Sequence, residues 1–277
     1  MLQITSCSSF ILIMKMFDSH AHYDDLRFEG VADSILAEVY EQGVEKIVNI
    51  GASLASSKSS VSLSQKHDFV YAAVGVHPSD AVEDMKQTDW LEQIESMYMS
   101  SDKVVAIGEI GLDYHYGKEE KEQQKICFRK QMELACKLSA PVIIHDREAH
   151  EDTLEILFDF PKVTGVLHSF SGSFEMAKQV LSLGYYISIN GVVTFNNAKK
   201  LVDILCRIDE LAPYARNRIL METDCPYLTP VPFRGQTNRS DYMKYTAQKA
   251  AECLKISTED FCELTYQNAC RFYGIKE

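Results

Sequence analysis

No long hydrophobic run occurs in this 277-residue sequence. The longest strongly apolar stretch, Phe10 to Met14, is far short of the roughly 20 residues that a membrane-spanning helix needs, which excludes an integral membrane protein. Glycine (13) and proline (7) are too scarce for a collagenous or low-complexity chain, and 46% hydrophobic against 25% charged residues excludes disorder. Positive charge is also in short supply. With 28 Lys+Arg against 40 Asp+Glu the net charge is −12, which argues against holding nucleic acid on a broad basic surface. A phosphate ligand would need local positive charge. The eight cysteines contain no CxxC spacing, so neither a zinc ribbon nor a disulfide framework is signalled, and free thiols in a reducing cytoplasm are expected. The opening MLQITSCSSFILIMK lacks the basic start and the apolar length of a signal peptide. Residues 1–15 read as an extension, with Met14 or Met16 as the expected start, and 16–277 as a single domain, because no Gly/Ser-rich linker, charge block or long repeat divides it.

What the sequence does contain is alternation. Short apolar runs recur at Met16–His20, Lys46–Gly51, Phe69–Val76, Val104–Glu109, Pro141–His145, Gly165–Phe170, Tyr185–Asn190 and Arg218–Thr223. Between them lie helical patterns near 30–42, 54–66, 80–99, 119–138, 151–159, 173–183 and 197–211, with a terminal pair near 240–254 and 258–273. Strand and helix patterns in strict succession predict a parallel sheet, and eight strands in a chain close to the roughly 250 residues of such folds predict an α/β (β/α)8 TIM barrel. The irregular segment Cys225–Arg239, with Pro226, Pro230, Pro232 and Gly235, reads as a loop after the eighth strand. Loops at that end of the strands build active sites in these barrels.

Chemistry-bearing residues gather at the same end. In Phe17-Asp18-Ser19-His20-Ala21-His22, strand periodicity of two puts His20 and His22 on one face, able to converge on one ion. An HxH by itself is a weak signal. Yet Glu109, His145, His168 and Asp224 each fall at or just beyond the end of another predicted strand, so six candidate ligands share one rim. Imidazole and carboxylate ligands suit Zn, Mn, Fe, Co or Ni, and six side chains exceed the needs of one tetrahedral ion. Two divalent metal ions, with Mg also a candidate, fit better, with Glu109 able to bridge them. Two divalent cations against Glu109 and Asp224 leave roughly +2 at the site, which answers the objection raised by an acidic protein.

At these residues the sequence resembles the TatD family of metal-dependent deoxyribonucleases, within the amidohydrolase-like metal barrels. The resemblance runs from about Met16 to Ile275 and rests on FDSHAH, GVHP at Gly75–Pro78, GEIGLDY at Gly108–Tyr114, PVIIHDR at Pro141–Arg147, HSFSG at His168–Gly172, METDCPYL at Met221–Leu228 and the tail Asn268–Phe272. It implies a hydrolase acting on DNA phosphodiesters, exonuclease-like on single strands or ends. The family's metal ligands match His20, His22, Glu109, His145, His168 and Asp224, and the aspartate is its proton acceptor, which makes Asp224 and Glu109 the catalytic candidates. Departures occur at Phe233, where many relatives have histidine, and at Asn238-Arg239-Ser240, which lacks a proline common two residues after the asparagine. They bear on substrate range.

His77, Arg147 and Arg234 are the candidate substrate contacts, since a strand-end imidazole can donate to a phosphate and a guanidinium can bind two of its oxygens. His115 is expected near the cleft, His67 and His150 outside it, and Tyr114, Tyr116, Phe170 and Tyr227 are candidates for stacking on bases at its mouth. Cys225 reads as a space-filling thiol, potentially sensitive to oxidation beside a metal site. The rival reading is an amide, ester or lactone hydrolase of the same superfamily. Many of those use a carboxylated lysine as the bridge, and no lysine ends the fourth strand here. Neither a membrane nor a stable protein partner is signalled.

Overall fold

The computed structural model describes residues 14–276, so the expected extension at 1–15 lies almost wholly outside the described residues. Eight strands form one parallel sheet in sequential order: β1 (Met16–Ala21), β2 (Val44–Ile50), β3 (Val70–Val74), β4 (Val104–Asp113), β5 (Val142–Arg147), β6 (Gly165–Leu167), β7 (Tyr186–Ile189) and β8 (Ile219–Met221). Just past the last strand the sheet curls back on the first. Asp224 N donates to His20 O (2.9 Å), His22 N to Cys225 O (2.8 Å), and Ala21 bridges Cys225. This is the (β/α)8 TIM barrel that the alternation implies.

The outer layer comprises α1 (Ala32–Glu41), α2 (Leu54–Lys66), α3 (Ala81–Asp84), α4 (Trp90–Tyr98), α5 (Lys121–Leu138), α6 (His150–Asp159), α7 (Phe174–Ser182), α8 (Lys199–Cys206), α9 (Ile208–Leu211), α10 (Met243–Leu254) and α11 (Thr258–Tyr273). Two expected helices are broken. Residues 80–99 divide at Met85–Asp89, and 197–211 divide at Arg207. None of these helices is long and apolar enough to cross a membrane.

Because strands of a parallel barrel are buried on both faces, their apolar residues supply two cores. Ile47, Val70, Val74, Ile107 and Ile144 pack outward against the helices, while Phe17, Val48, Ala73, Ile143, Val166 and Leu220 pack inside the barrel. Tyr266, Phe272 and Tyr273 of α11 join the inner cluster and close its lower end, with Tyr273 O–H donating to Ser19 O (2.8 Å).

β4 departs most from expectation. Its register shifts between Ile107 and Ile110, and the strand then resumes beside β5, pairing Gly111 with His145 and Asp113 with Arg147. The break in pattern at Glu109 therefore marks an irregularity within the strand, not its end. Gly111 is obligatory: its φ is +139°, and a Cβ there would stand 2.0 Å from His145 O. Glu109 and Asp113 are thereby carried on one strand to opposite sides of the His145 ring.

Candidate metal centre

The six candidate ligands meet in one buried cluster at the open rim. His20 Nε2 and His22 Nε2, from β1 and its end, stand 3.0 Å apart. His145 Nδ1 in β5 and His168 Nε2, just past β6, stand 3.1 Å apart. Glu109 lies between the pairs and divides its carboxylate. Oε1 is 2.9 Å from His145 Nδ1 and 2.8 Å from His168 Nε2, whereas Oε2 is 3.5 Å from His20 Nε2 and 3.7 Å from His22 Nε2. Asp224 Oδ1 completes the first group at 3.8 Å from His20 and 3.5 Å from His22. Its backbone, at φ 57°, is one that aspartate tolerates better than most residues.

The tautomers of His22 and His145 follow from what each ring meets on its far side. His22 Nδ1 is 3.0 Å from Ile50 O, which can only accept, so Nδ1 carries the proton and Nε2 offers a lone pair to the cluster. His145 Nε2 is 3.2 Å from Asp113 Oδ2, which leaves Nδ1 as its inward lone pair. His168 turns Nδ1 toward Glu222 Oε1 at 3.7 Å and Nε2 inward. Nitrogen lone pairs aimed at one another gain nothing by themselves. Two nitrogens each about 2.0–2.1 Å from a shared ion, however, stand roughly 3 Å apart at four- to six-fold coordination angles. The residues present fit a cation between each pair.

The electrostatics point the same way. Burial alone would raise Glu109, yet the charge of His168 and hydrogen bonds from His145 and His168 hold it well below the usual carboxylate range. Burial disfavours the charged form of His22, but its hydrogen bond with Asp224 and the charges of Glu109, Asp224 and Asp24 push it up to about 9. His145 and His168 are also raised against the effect of burial, by Asp113 and Glu109 in the first case and by Glu109 and Glu222 in the second. Without a metal, protons neutralise the carboxylates, so a cation must displace them. Metal uptake at pH 7–8 should release about one or more protons per protein, and affinity should rise with pH. Calorimetric titration in two buffers of unlike ionisation enthalpy measures this directly; equal heats would contradict it.

Three acids here escaped the sequence reading. Asp113 accepts the backbone N–H groups of His115 (2.9 Å) and Tyr116 (3.0 Å) on Oδ1 while Oδ2 faces His145. Burial would raise it, but His145 and those donors hold it down at about 2. Glu222 is buried and accepts from Ser169 N (2.8 Å), Ser188 Oγ (2.5 Å) and Asn190 Nδ2 (3.2 Å). Asp18 is pushed up to about 6 by burial, opposed by hydrogen bonds from Ser240, Thr223 and His20, and ties β1 to β8. A charged residue inside an otherwise apolar strand pattern is the available signal for Asp18 and Glu222, whereas Asp113 lies beyond the apolar run that ends at Glu109. Asp113→Asn should keep the fold and lower metal affinity about 10–100-fold, the usual cost of losing the group that orients a ligand histidine. Competition with a chelating dye would read this; unchanged affinity would remove Asp113 from that role.

The cluster floors a cavity of about 570 Å³ whose lining includes His77, Arg147, Tyr116 and Tyr227. His77 accepts Ser79 N–H on Nδ1 (3.1 Å), and burial with His145 beside it lowers its pKa to about 3. It is therefore neutral, with its proton on Nε2 as a donor. Arg147 has its guanidinium 4.8 Å over the Tyr116 ring. Arg234 does not line the cavity: it is exposed and stacked 3.7 Å over Phe195. His115 is likewise absent from the lining and pairs with Glu148 (2.8 Å). Tyr114 is buried, donating to Asp152 (2.6 Å), and Phe170 is buried packing. Complete burial raises the Cys225 thiol, which argues against its oxidation.

A family model described as TatD related DNase matches residues 17–274. The uncharacterized metal-dependent hydrolase YabD of Bacillus subtilis (strain 168) is 38% identical over 264 residues, spanning 94% of this chain and 99% of the relative. The uncharacterized metal-dependent hydrolase YcfH of Escherichia coli (strain K12) is 35% identical over 270 residues, spanning 95% and 97%. Among solved structures, YJJV, a TatD homolog from Escherichia coli K12, superposes with a TM-score of 0.87 at 28% identity, covering 96% of this chain and 100% of that one.

Proposed function

The chain belongs to the TatD related DNase family and is a metal-dependent hydrolase, and from that premise we propose that it cleaves DNA phosphodiester bonds, exonuclease-like on single strands or ends, with two divalent cations. The carrying observation is the divided carboxylate of Glu109, one oxygen toward His145 and His168 and the other toward His20 and His22. His20, His22 and Asp224 would hold one cation, His145 and His168 the other, and Glu109 both. Bound divalent cations lower the pKa of water and draw charge from phosphoryl and leaving oxygens.

Each remaining task falls to a residue of the chain. Asp224 receives the proton as water attacks phosphorus. His77 Nε2 donates to a non-bridging phosphoryl oxygen, and Arg147 supplies two N–H groups to the same or the next phosphate. Asp24, Asp25, Glu109, Asp113 and Asp224 all line the cavity, with Arg147 as the only lysine or arginine among the described lining residues. An anionic strand would be repelled from that surface without cations, so the substrate class and the metal requirement support one another.

The test is hydrolysis of end-labelled single-stranded DNA by protein of measured metal content, before and after chelation, with ester, lactone and dipeptide substrates in parallel. Cleavage that vanishes on chelation and returns with added divalent metal is expected. Turnover of a lactone or ester with no cleavage of DNA would overturn the reading in favour of the rival hydrolase.

A further inference from the structure

The mouth of the cavity carries two aromatic side chains that the barrel core does not use. Tyr116, 76% exposed, stands on the turn after β4, and Tyr227, 43% exposed, on the loop after β8. In an eight-stranded barrel these strands are four apart in order, so the rings occupy opposite sides of the opening. Both are anchored to the floor by a hydrogen bond from the backbone N–H to the residue three positions before, a side-chain oxygen in one case and a backbone oxygen in the other. Tyr116 N donates to Asp113 Oδ1 (3.0 Å), and Tyr227 N donates to Asp224 O (2.9 Å). Each also bears a guanidinium on one face, Arg147 at 4.8 Å from the Tyr116 centroid and Arg27 at 4.2 Å from that of Tyr227.

Large aromatic surface held in water by short ties to the reacting centre is built to receive a flat ligand. Resting on the DNA-hydrolase reading, we propose that Tyr116 and Tyr227 are two base platforms, each taking one unpaired nucleobase beside the bond to be cut. The strand then crosses the cavity from the β4 side to the β8 side with its phosphate over the cluster. Bases in a duplex are stacked on one another and cannot splay onto both rings, so the pair selects single strands.

The platforms differ in charge. On the β8 side Arg27 Nε is neutralised by Asp25 Oδ1 (3.2 Å), which also receives Tyr227 O–H on Oδ2 (2.8 Å). On the β4 side Arg147 has no carboxylate within ion-pair range among the described residues. Tyr116 with Arg147 therefore holds a base together with an adjacent phosphate, whereas Tyr227 with Arg27 holds a base alone.

The experiment is a cycle between side chain and base. Metal-loaded protein is given a labelled single-stranded decamer, intact or abasic at each position in turn, and KM and kcat are measured for the wild type, Tyr116→Ala and Tyr116→Trp. Stacking on an aromatic platform predicts that Tyr116→Ala, or removal of the base it contacts, raises KM about tenfold. Combining the two should add nothing further, and Tyr116→Trp should restore the wild-type KM. An uncleavable strand with 2-aminopurine at that position gives a second readout: its emission should be quenched by the wild type and not by Tyr116→Ala. Tyr116 is exposed, so folding is not at risk. Cleavage by the wild type with independent, multiplying effects of the two changes, or unaltered KM, would overturn the platforms and leave the nuclease reading intact. Absence of wild-type cleavage would overturn both.

Discussion

Glu109→Gln should lose about a thousandfold or more in turnover and fall below two bound metals per protein. The substitution preserves shape, so what it removes is charge at the one side chain facing both imidazole pairs. Removing a single preorganised electrostatic group from an active site commonly costs about 10²–10³ in rate, and here the same change also weakens affinity for both cations. The amide cannot present two equivalent oxygens: one of the positions at 2.9 and 3.5 Å from histidine nitrogens becomes an N–H₂. In the metal-free protein the loss has a second sign. His145 and His168, whose charged forms Glu109 favours, become easier to deprotonate. Elemental analysis, turnover and thermal unfolding of the same preparation separate these effects. Two metals and undiminished turnover in a folded variant would defeat the bridging assignment.

The fold and the outline of this site were legible because both rest on local periodicity. Eight apolar runs alternating with amphipathic ones leave few topologies besides a parallel barrel, and a ligand-type residue at a strand end needs only the strand's position to be placed on the rim. Less legible was whatever depends on how two strands lie against each other. Asp113 was passed over since β4 looked finished at Glu109, whereas the register shift and Gly111 carry the strand onward until Asp113 faces His145. Glu222 sits one residue past β8, and only the neighbouring β7 supplies the Ser188 that binds it. Arg234 shows the converse. Its place in the loop after the eighth strand suggested the cleft, yet Phe195 lies close enough to take its guanidinium.

These partners also explain how the ring protons of two of the imidazoles are kept off the cluster once the rings are neutral. Ile50 O fixes His22 and Asp113 fixes His145, each from outside the cluster. A ring free to exchange tautomers would present a proton to a cation half of the time, on the simplest count of two ring nitrogens. The buried acids therefore act on affinity through the histidines, without touching an ion themselves, which is why Asp113→Asn is expected to cost metal binding more than stability.

Asp224→Asn separates holding a metal from moving a proton. Burial would raise the Asp224 carboxyl, but His22, His20 and His168 hold it below the ordinary carboxylate range, so it is ionised and ready to accept at neutral pH. Asparagine fills the same space and keeps one oxygen toward His20 and His22, while its backbone can still donate to His20 O. It has no basic site for a proton. Metal content should therefore change little, and binding of an uncleaved strand should stay within a few-fold of the wild type. Turnover should fall by about 10²–10⁴, the usual contribution of a positioned general base. The pH profile gives the more specific signature. With its internal acceptor gone, the residual reaction must pass the proton to solvent or hydroxide, so log kcat in the variant should climb with pH across the range where the wild type is level. Equal turnover, or a loss matched by an equal loss of metal, would leave Asp224 as a ligand alone and assign the proton to another group of the cavity.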